Sequence, residues 1–209
     1  MFEVRKSIKR FRDDPAWTYR DKAPDYLATF DRGGYPFSLG PQGNGIHDLL
    51  QGSLHGREVS LFHLNAWKRS GGSNQAQVAW KFSVAVLTLP RVLPATAFTC
   101  GRLNGHTGNW KLPAIPRTAG PSTELPNSGA GGVRRCSTDP GFAALVDTPE
   151  TERLTREALI GWRTDGDRII GWTFGRRTYE EIHSVAETLV AIIAAFPEQA
   201  WHWPEGTRG

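Results

Sequence analysis

Val78-Ala79-Trp80-Lys81-Phe82-Ser83-Val84-Ala85-Val86-Leu87-Thr88-Leu89 is the stretch whose pattern decides the fold class. Trp80, Phe82, Val84 and Val86 recur at every second position, with Ala79, Lys81, Ser83 and Ala85 between them. That is the period of a β-strand with one face on a core and the other less buried. Pro90 and Pro94 are expected to end it, because proline has no N–H to give to a ladder. Upstream, 49–54 and 58–67 flank His55-Gly56-Arg57, and the polar loop 68–77 leads into the quoted strand, so the three runs read as an antiparallel meander. Short strands are also expected at Trp17-Thr18-Tyr19 and over 96–100.

Helical signals lie at the two ends of the chain. Thr178 caps a helix with Glu181 three residues later, and Ile182, Val185, Ala186, Leu189, Ile193 and Phe196 recur at helical spacing until Pro197 stops it. Asp139-Pro140 and Thr148-Pro149 each place a capping side chain before a proline at the first helical position, predicting helices over 140–146 and 149–160. Val4, Ile8 and Phe11 give a short amphipathic helix before Asp13-Asp14-Pro15, and a helical turn is expected near 25–30. Asp165-Gly166, between strand-like runs at 162–164 and 168–174, predicts a tight hairpin. The fold expected is α+β: an antiparallel β-sheet of about six to eight strands, a long C-terminal helix packed on one face, and short helices at the ends.

At 209 residues, with eight Trp and ten Phe, one core suffices, and a single domain over 1–209 is expected. Between 101 and 132 the composition shifts to Gly, Pro, Asn, Ser and Thr, which predicts a mobile loop. Two cysteines, Cys100 and Cys136, make no disulfide framework and read as thiols. No apolar run is long enough to span a bilayer, and Met1–Lys6 lacks the apolar stretch of a signal peptide, so the expected location is cytoplasmic.

The formal charge of +4 is concentrated. Residues 1–12 carry Arg5, Lys6, Lys9, Arg10 and Arg12 against Glu3, and residues 101–135 carry Arg102, Lys111, Arg117, Arg134 and Arg135 against Glu124. Each stretch is therefore +4, which leaves −4 for the rest. If the two segments share a face, Arg5, Lys9, Arg12, Arg134 and Arg135 form a candidate polyanion-binding set for nucleic acid or an anionic surface.

Catalytic and metal chemistry has little purchase in the sequence. The six histidines stand at no metal-ligand spacing. His55 and His63 on adjacent strands are explained by ordinary hydrogen bonding or exposure, and Cys100 near His106 lacks an orienting third group. Glu150, Glu152, Glu180 and Glu181 fall at helix starts, and Asp165 and Asp167 in the expected turn, where helix dipoles and turn chemistry account for them. The glycine-rich runs 40–45 and 129–132 lack the Lys-Ser/Thr ending of a phosphate loop. Trp80, Trp162 and Trp172 are candidate core residues, and Trp201 and Trp203 are expected to pin the C-terminal segment. No catalytic residue, metal or cofactor is implied.

Trp17-Thr18-Tyr19, Pro36-Phe37, Gly52-Ser53 with Gly56-Arg57, Leu89-Pro90 with Leu93-Pro94, residues 139–148, Gly166-Asp167 with Trp172, and Phe196-Pro197 with Trp201 together resemble a family of uncharacterised actinobacterial proteins of about this size. The likeness spans nearly the whole chain and departs from the pattern at 101–132 and at 134–137. A more distant similarity is to a bacterial domain of unknown function found in some membrane-anchored proteins. The resemblance implies a single cytoplasmic domain and brings no activity or ligand. The function favoured is a non-catalytic binding or scaffold module with a protein partner. The rivals are a weak polyanion binder using 1–12 and 101–135, and a small hydrolase or transferase whose site is assembled from residues distant in sequence.

Overall fold

In the computed structural model, which describes residues 2–30, 34–37, 45–69, 77–101, 103 and 115–204, the meander around the quoted strand is the centre of an eight-stranded antiparallel sheet. The strands are β1 (Thr18–Lys22), β2 (Gly45–Leu54), β3 (Arg57–Arg69), β4 (Gln77–Leu93), β5 (Thr96–Cys100), β6 (Thr123–Glu124), β7 (Val133–Ser137) and β8 (Gly161–Phe174), in the order β1-β2-β3-β4-β8-β5-β7-β6. His55 and Gly56, with φ of 49° and 76°, turn β2 into β3 with both central residues left-handed, as a two-residue hairpin of right-handed strands requires. The helices are α1 (Phe2–Arg12), α2 (Pro24–Leu27), α3 (Pro140–Val146), α4 (Pro149–Glu157) and α5 (Tyr179–Ala194).

α5 lies across the sheet as expected. Thr178 and Glu181 close a reciprocal capping box at its start, and its apolar stripe packs on Leu61, Ala85 and Leu87. Gly171 of β8 makes room for it, because a Cβ there would stand 2.9 Å from a Leu189 methyl. The face of β4 that carries Phe82, Val84 and Val86 points the other way, into a second core with Phe62, Leu64, Trp172, Leu27, Phe30, Tyr35 and Phe37. From Phe82 to Leu87 the strand that read as half-buried is thus buried on both faces. Ser83 tolerates this because its hydroxyl donates to the Gly175 carbonyl and accepts from the Arg177 N–H.

Two local expectations are corrected. Asp165-Gly166 is not a hairpin: β8 runs on through it, pairing with β5 before it and with β4 after it. Gly166, at φ 65°, supplies the left-handed residue of a bulge at which the strand changes partner. Pro90 does not end β4, because pairing with β3 stops at Leu87 and Pro90 falls in the irregularity between Thr88 and Leu93, where no ladder N–H is needed. Residues 133–137, although polar at 134–137, form β7 between β5 and β6.

α3 begins and ends as its sequence predicts, while α4 stops short of Ile160. Leu159 takes φ 52° there, with its N–H on Arg156 and the Ile160 N–H on Thr155, which is the Schellman closure ordinarily made with glycine. In the expected loop, 102 and 104–114 lie outside the described residues. Residues 115–132 contain 3-10 turns at Arg117–Ala119 and Ala130–Gly132 and the short β6. Cys100 sits opposite Val133 and Cys136 opposite Ala97, three residues along the ladder and about 10 Å apart, so both are free thiols. Trp162 and Trp172 are fully buried. Trp203 donates to Asp139 at 2.8 Å, while Arg91 holds the carbonyls of Trp201 and Trp203.

Candidate functional site

The charged and titratable side chains gather at two places on the sheet. At the corner where α1 and the start of α5 cover β2, two residues of β2, Asp48 and Leu49, oppose the single Phe62 of β3. This bulge throws Asp48 into φ 54°, a conformation that aspartate tolerates better than most side chains. Its carboxylate accepts from Tyr19 Oη at 3.0 Å and Arg176 NH2 at 2.5 Å. Its main-chain carbonyl accepts from Tyr179 Oη, the first residue of α5.

His63 completes the cluster from β3. It is 2% exposed, with Nε2 at 2.8 Å from the Arg177 carbonyl. A carbonyl only accepts, so that nitrogen carries the proton, and Nδ1 faces Tyr179 Oη at 3.4 Å and Asp48 Oδ2 at 3.8 Å. Burial works against ionisation of Asp48, but the hydrogen bonds from Tyr19 and Arg176, with His63 close by, outweigh it and hold the carboxyl down to about 2. Burial first, then the bond to Asp48, pushes Tyr19 up to about 12. Burial and the Asp48 charge raise Tyr179 well above the ordinary phenol range.

A histidine, a carboxylate and a phenol within reach of one another are a proton-transfer set in kind. Here each is engaged internally, and the set works as a clasp joining β1, β2, β3 and α5. α1 closes it from outside. Ser7 Oγ accepts the Tyr179 N–H at 2.5 Å, and Phe11 packs on Tyr179 and Trp17. The cluster was not legible as a site, although His47-Asp48-Leu49-Leu50 breaks alternation with two adjacent apolar residues, which is a bulge signal. His55 does not approach His63: it sits in the hairpin and pairs with Glu187 at 2.8 Å. His106 lies outside the described residues.

Of the candidate polyanion set, Arg5, Lys9 and Arg12 stand exposed on α1, with the Arg12 guanidinium 5.4 Å over the Tyr19 ring. Arg134 and Arg135 are elsewhere. β7 is five strands from β2 in the sheet order, about 24 Å at the usual strand spacing. Arg134 pairs with Glu124 at 3.0 Å. Arg135 is not a surface residue: it is 1% exposed, with Nε on Asp147 at 2.9 Å and NH2 on Glu152 at 2.6 Å. Its NH1 faces the carbonyls of Asn127, Ala130 and Val133, so the glycine-rich turn at 129–132 wraps this side chain. Arg134 and Arg135 therefore do not share a face with Arg5, Lys9 and Arg12.

Among the described residues, no group of three or more His, Cys, Asp or Glu side chains is gathered to hold a metal ion, and no helix is long and apolar enough to cross a membrane. A hollow of about 270 Å³ beside the C-terminal 3-10 turn is lined by Glu198, Gln199, His202, Trp203 and Pro204, and no residue of the Asp48 cluster lines it.

No protein-family model matches the chain, and no curated protein matches it in sequence. Its structure is similar to the crystal structure of the mycobacterial trehalose monomycolate transport factor A, TtfA, with a TM-score of 0.67 and 11% identity, over 94% of this chain and 98% of that one. At that identity the likeness establishes a shared fold and nothing finer.

Proposed function

We propose that this chain is a non-catalytic binding or scaffold module acting in the cytoplasm. The observation that carries the reading is the closure of the Asp48 cluster. The side chains best suited to proton transfer are engaged with one another and with main-chain carbonyls beneath α1 and α5, so their chemistry holds a corner of the fold together. Likeness to a protein described as a transport factor fits an accessory role, and the resemblance to cytoplasmic actinobacterial proteins supports the location.

The rival is a hydrolase or transferase using His63 and Tyr179. Purified protein should be assayed against chromogenic esters, phosphates and glycosides beside Tyr179→Phe and His63→Gln variants shown to be folded. The binding reading expects no turnover above buffer in any of them. Turnover that the wild type shows and Tyr179→Phe abolishes would overturn it.

A further inference from the structure

The outward face of α1 carries a charge excess that the fold does not use. Val4, Ser7, Ile8 and Phe11 turn inward, and Arg5, Lys6, Lys9, Arg10 and Arg12 are exposed. Arg5, Lys9 and Arg12 stand at i, i+4 and i+7, one stripe along the helix, with Lys6 and Arg10 beside it. Glu3 lies about 160° around the helix from Arg5. Arg10 reaches Glu180 at 3.0 Å. Among the described residues, Arg5, Lys6 and Lys9 have no ion-pair partner.

Resting on the binding-module reading, the geometry points to a partner for this face: the anionic surface of a phospholipid bilayer. Charge complementarity is the first reason, since long Lys and Arg side chains at one level suit a layer of headgroup phosphates. The second is shape. α1 lies along α5 and β2 on its apolar stripe, so its outer side is a flat ridge, whereas DNA takes a helix that projects into a groove. A polar face without an apolar wedge gives peripheral, reversible attachment that salt removes.

Flotation with vesicles tests this. Wild-type protein is mixed with vesicles of phosphatidylcholine alone, or carrying about one third phosphatidylglycerol, at about 50 and about 300 mM salt. The expected result is binding to the anionic vesicles at low salt, release at high salt, and none to the neutral ones. At roughly fivefold per basic residue, the triple variant Arg5→Gln, Lys6→Gln, Lys9→Gln should bind about a hundredfold more weakly. Its melting curve should match the wild type, because all three side chains are exposed. Absence of vesicle binding at low salt, equal binding to neutral vesicles, or an unaffected triple variant overturns the proposal. So does a labelled DNA or RNA duplex that displaces the protein from vesicles at equal phosphate. None of these outcomes bears on turnover, so the proposal can fail while the binding-module reading stands.

Discussion

Arg135→Ala is expected to be among the most damaging single changes in the described structure. Breaking a buried ion pair by removing one partner costs about 3–5 kcal/mol, mostly from the charge left behind. Two remnants here soften that cost. Asp147 keeps the Asn127 amide at 2.6 Å, and Glu152 keeps Arg156 at 3.4 Å. Against that, the carbonyls of Ala130 and Val133 lose a donor at 3.0 and 2.8 Å. The lower end of the range, about 3 kcal/mol, is therefore expected, or about 6–12 °C in melting temperature for a chain of this size. Urea unfolding followed by far-UV dichroism and Trp fluorescence measures it, with Arg134→Ala alongside as the exposed comparison, expected to lose at most about 1 kcal/mol. Arg135→Lys should fall between, since one ammonium cannot span two carboxylates and the turn carbonyls. If Arg135→Ala costs under about 1 kcal/mol, or no more than Arg134→Ala, then this guanidinium is hydrated in solution and its place as the post of the 125–133 turn is wrong.

Other outcomes follow from the same packing and electrostatics. Leu189→Ala should lose about 2–5 kcal/mol in denaturant titration, because Leu189 is fully buried in the niche left by Gly171; a loss under about half a kcal/mol, roughly a quarter of the low end of that range, would mean an exposed stripe. Asp48 is held at about 2 against 3.8, so the native state binds fewer protons. Its stabilisation is whole above the free-carboxyl pKa and drains away as the pH falls through about 2. In urea titrations across that window, Asp48→Asn should trail the wild type by about 2 kcal/mol near neutrality and converge with it at the acid end; a gap independent of pH contradicts the assignment. Leu159→Gly should raise stability by about 0.5–1 kcal/mol by relieving a left-handed leucine that is 43% exposed. Burial pushes the Cys136 thiol up to about 11, so a thiol reagent near pH 8 should label it only on unfolding; fast labelling of native protein would place it in a more open environment.

What could be read from the chain was whatever is fixed by near neighbours. α3 and α5 announce themselves through Asp139-Pro140 and through Thr178 with Glu181, because caps and first turns are local chemistry. β2 to β4 were legible through alternation and the His55-Gly56 turn. Asp165-Gly166 misled because a left-handed glycine serves a hairpin and a bulge equally well, and the choice between them is made by β4 and β5, far away in sequence. Alternation also could not say that the Phe82 face had a cover of its own, since that cover comes from 23–30 and 34–37, where no long periodic run marks it.

Where the basic residues of the candidate set lie follows from a single cause, which is the period of the element each one sits on. Arg134 and Arg135 read as one patch in the sequence because they are adjacent. On a strand, however, adjacent side chains point to opposite faces, so the two could not share a face once 133–137 paired with β5. Val133, Arg135 and Ser137 are the buried three, and Arg135 enters the interior with Asp147 and Glu152 to receive it. On α1 the period is 3.6, and Arg5, Lys9 and Arg12 share a face by construction. Had 133–137 been helical, a two-arginine patch would have been sound. Its strand conformation turns the same dipeptide into one solvated ion pair and one internal post, and of the five candidate residues it leaves Arg5, Lys9 and Arg12 together on one face.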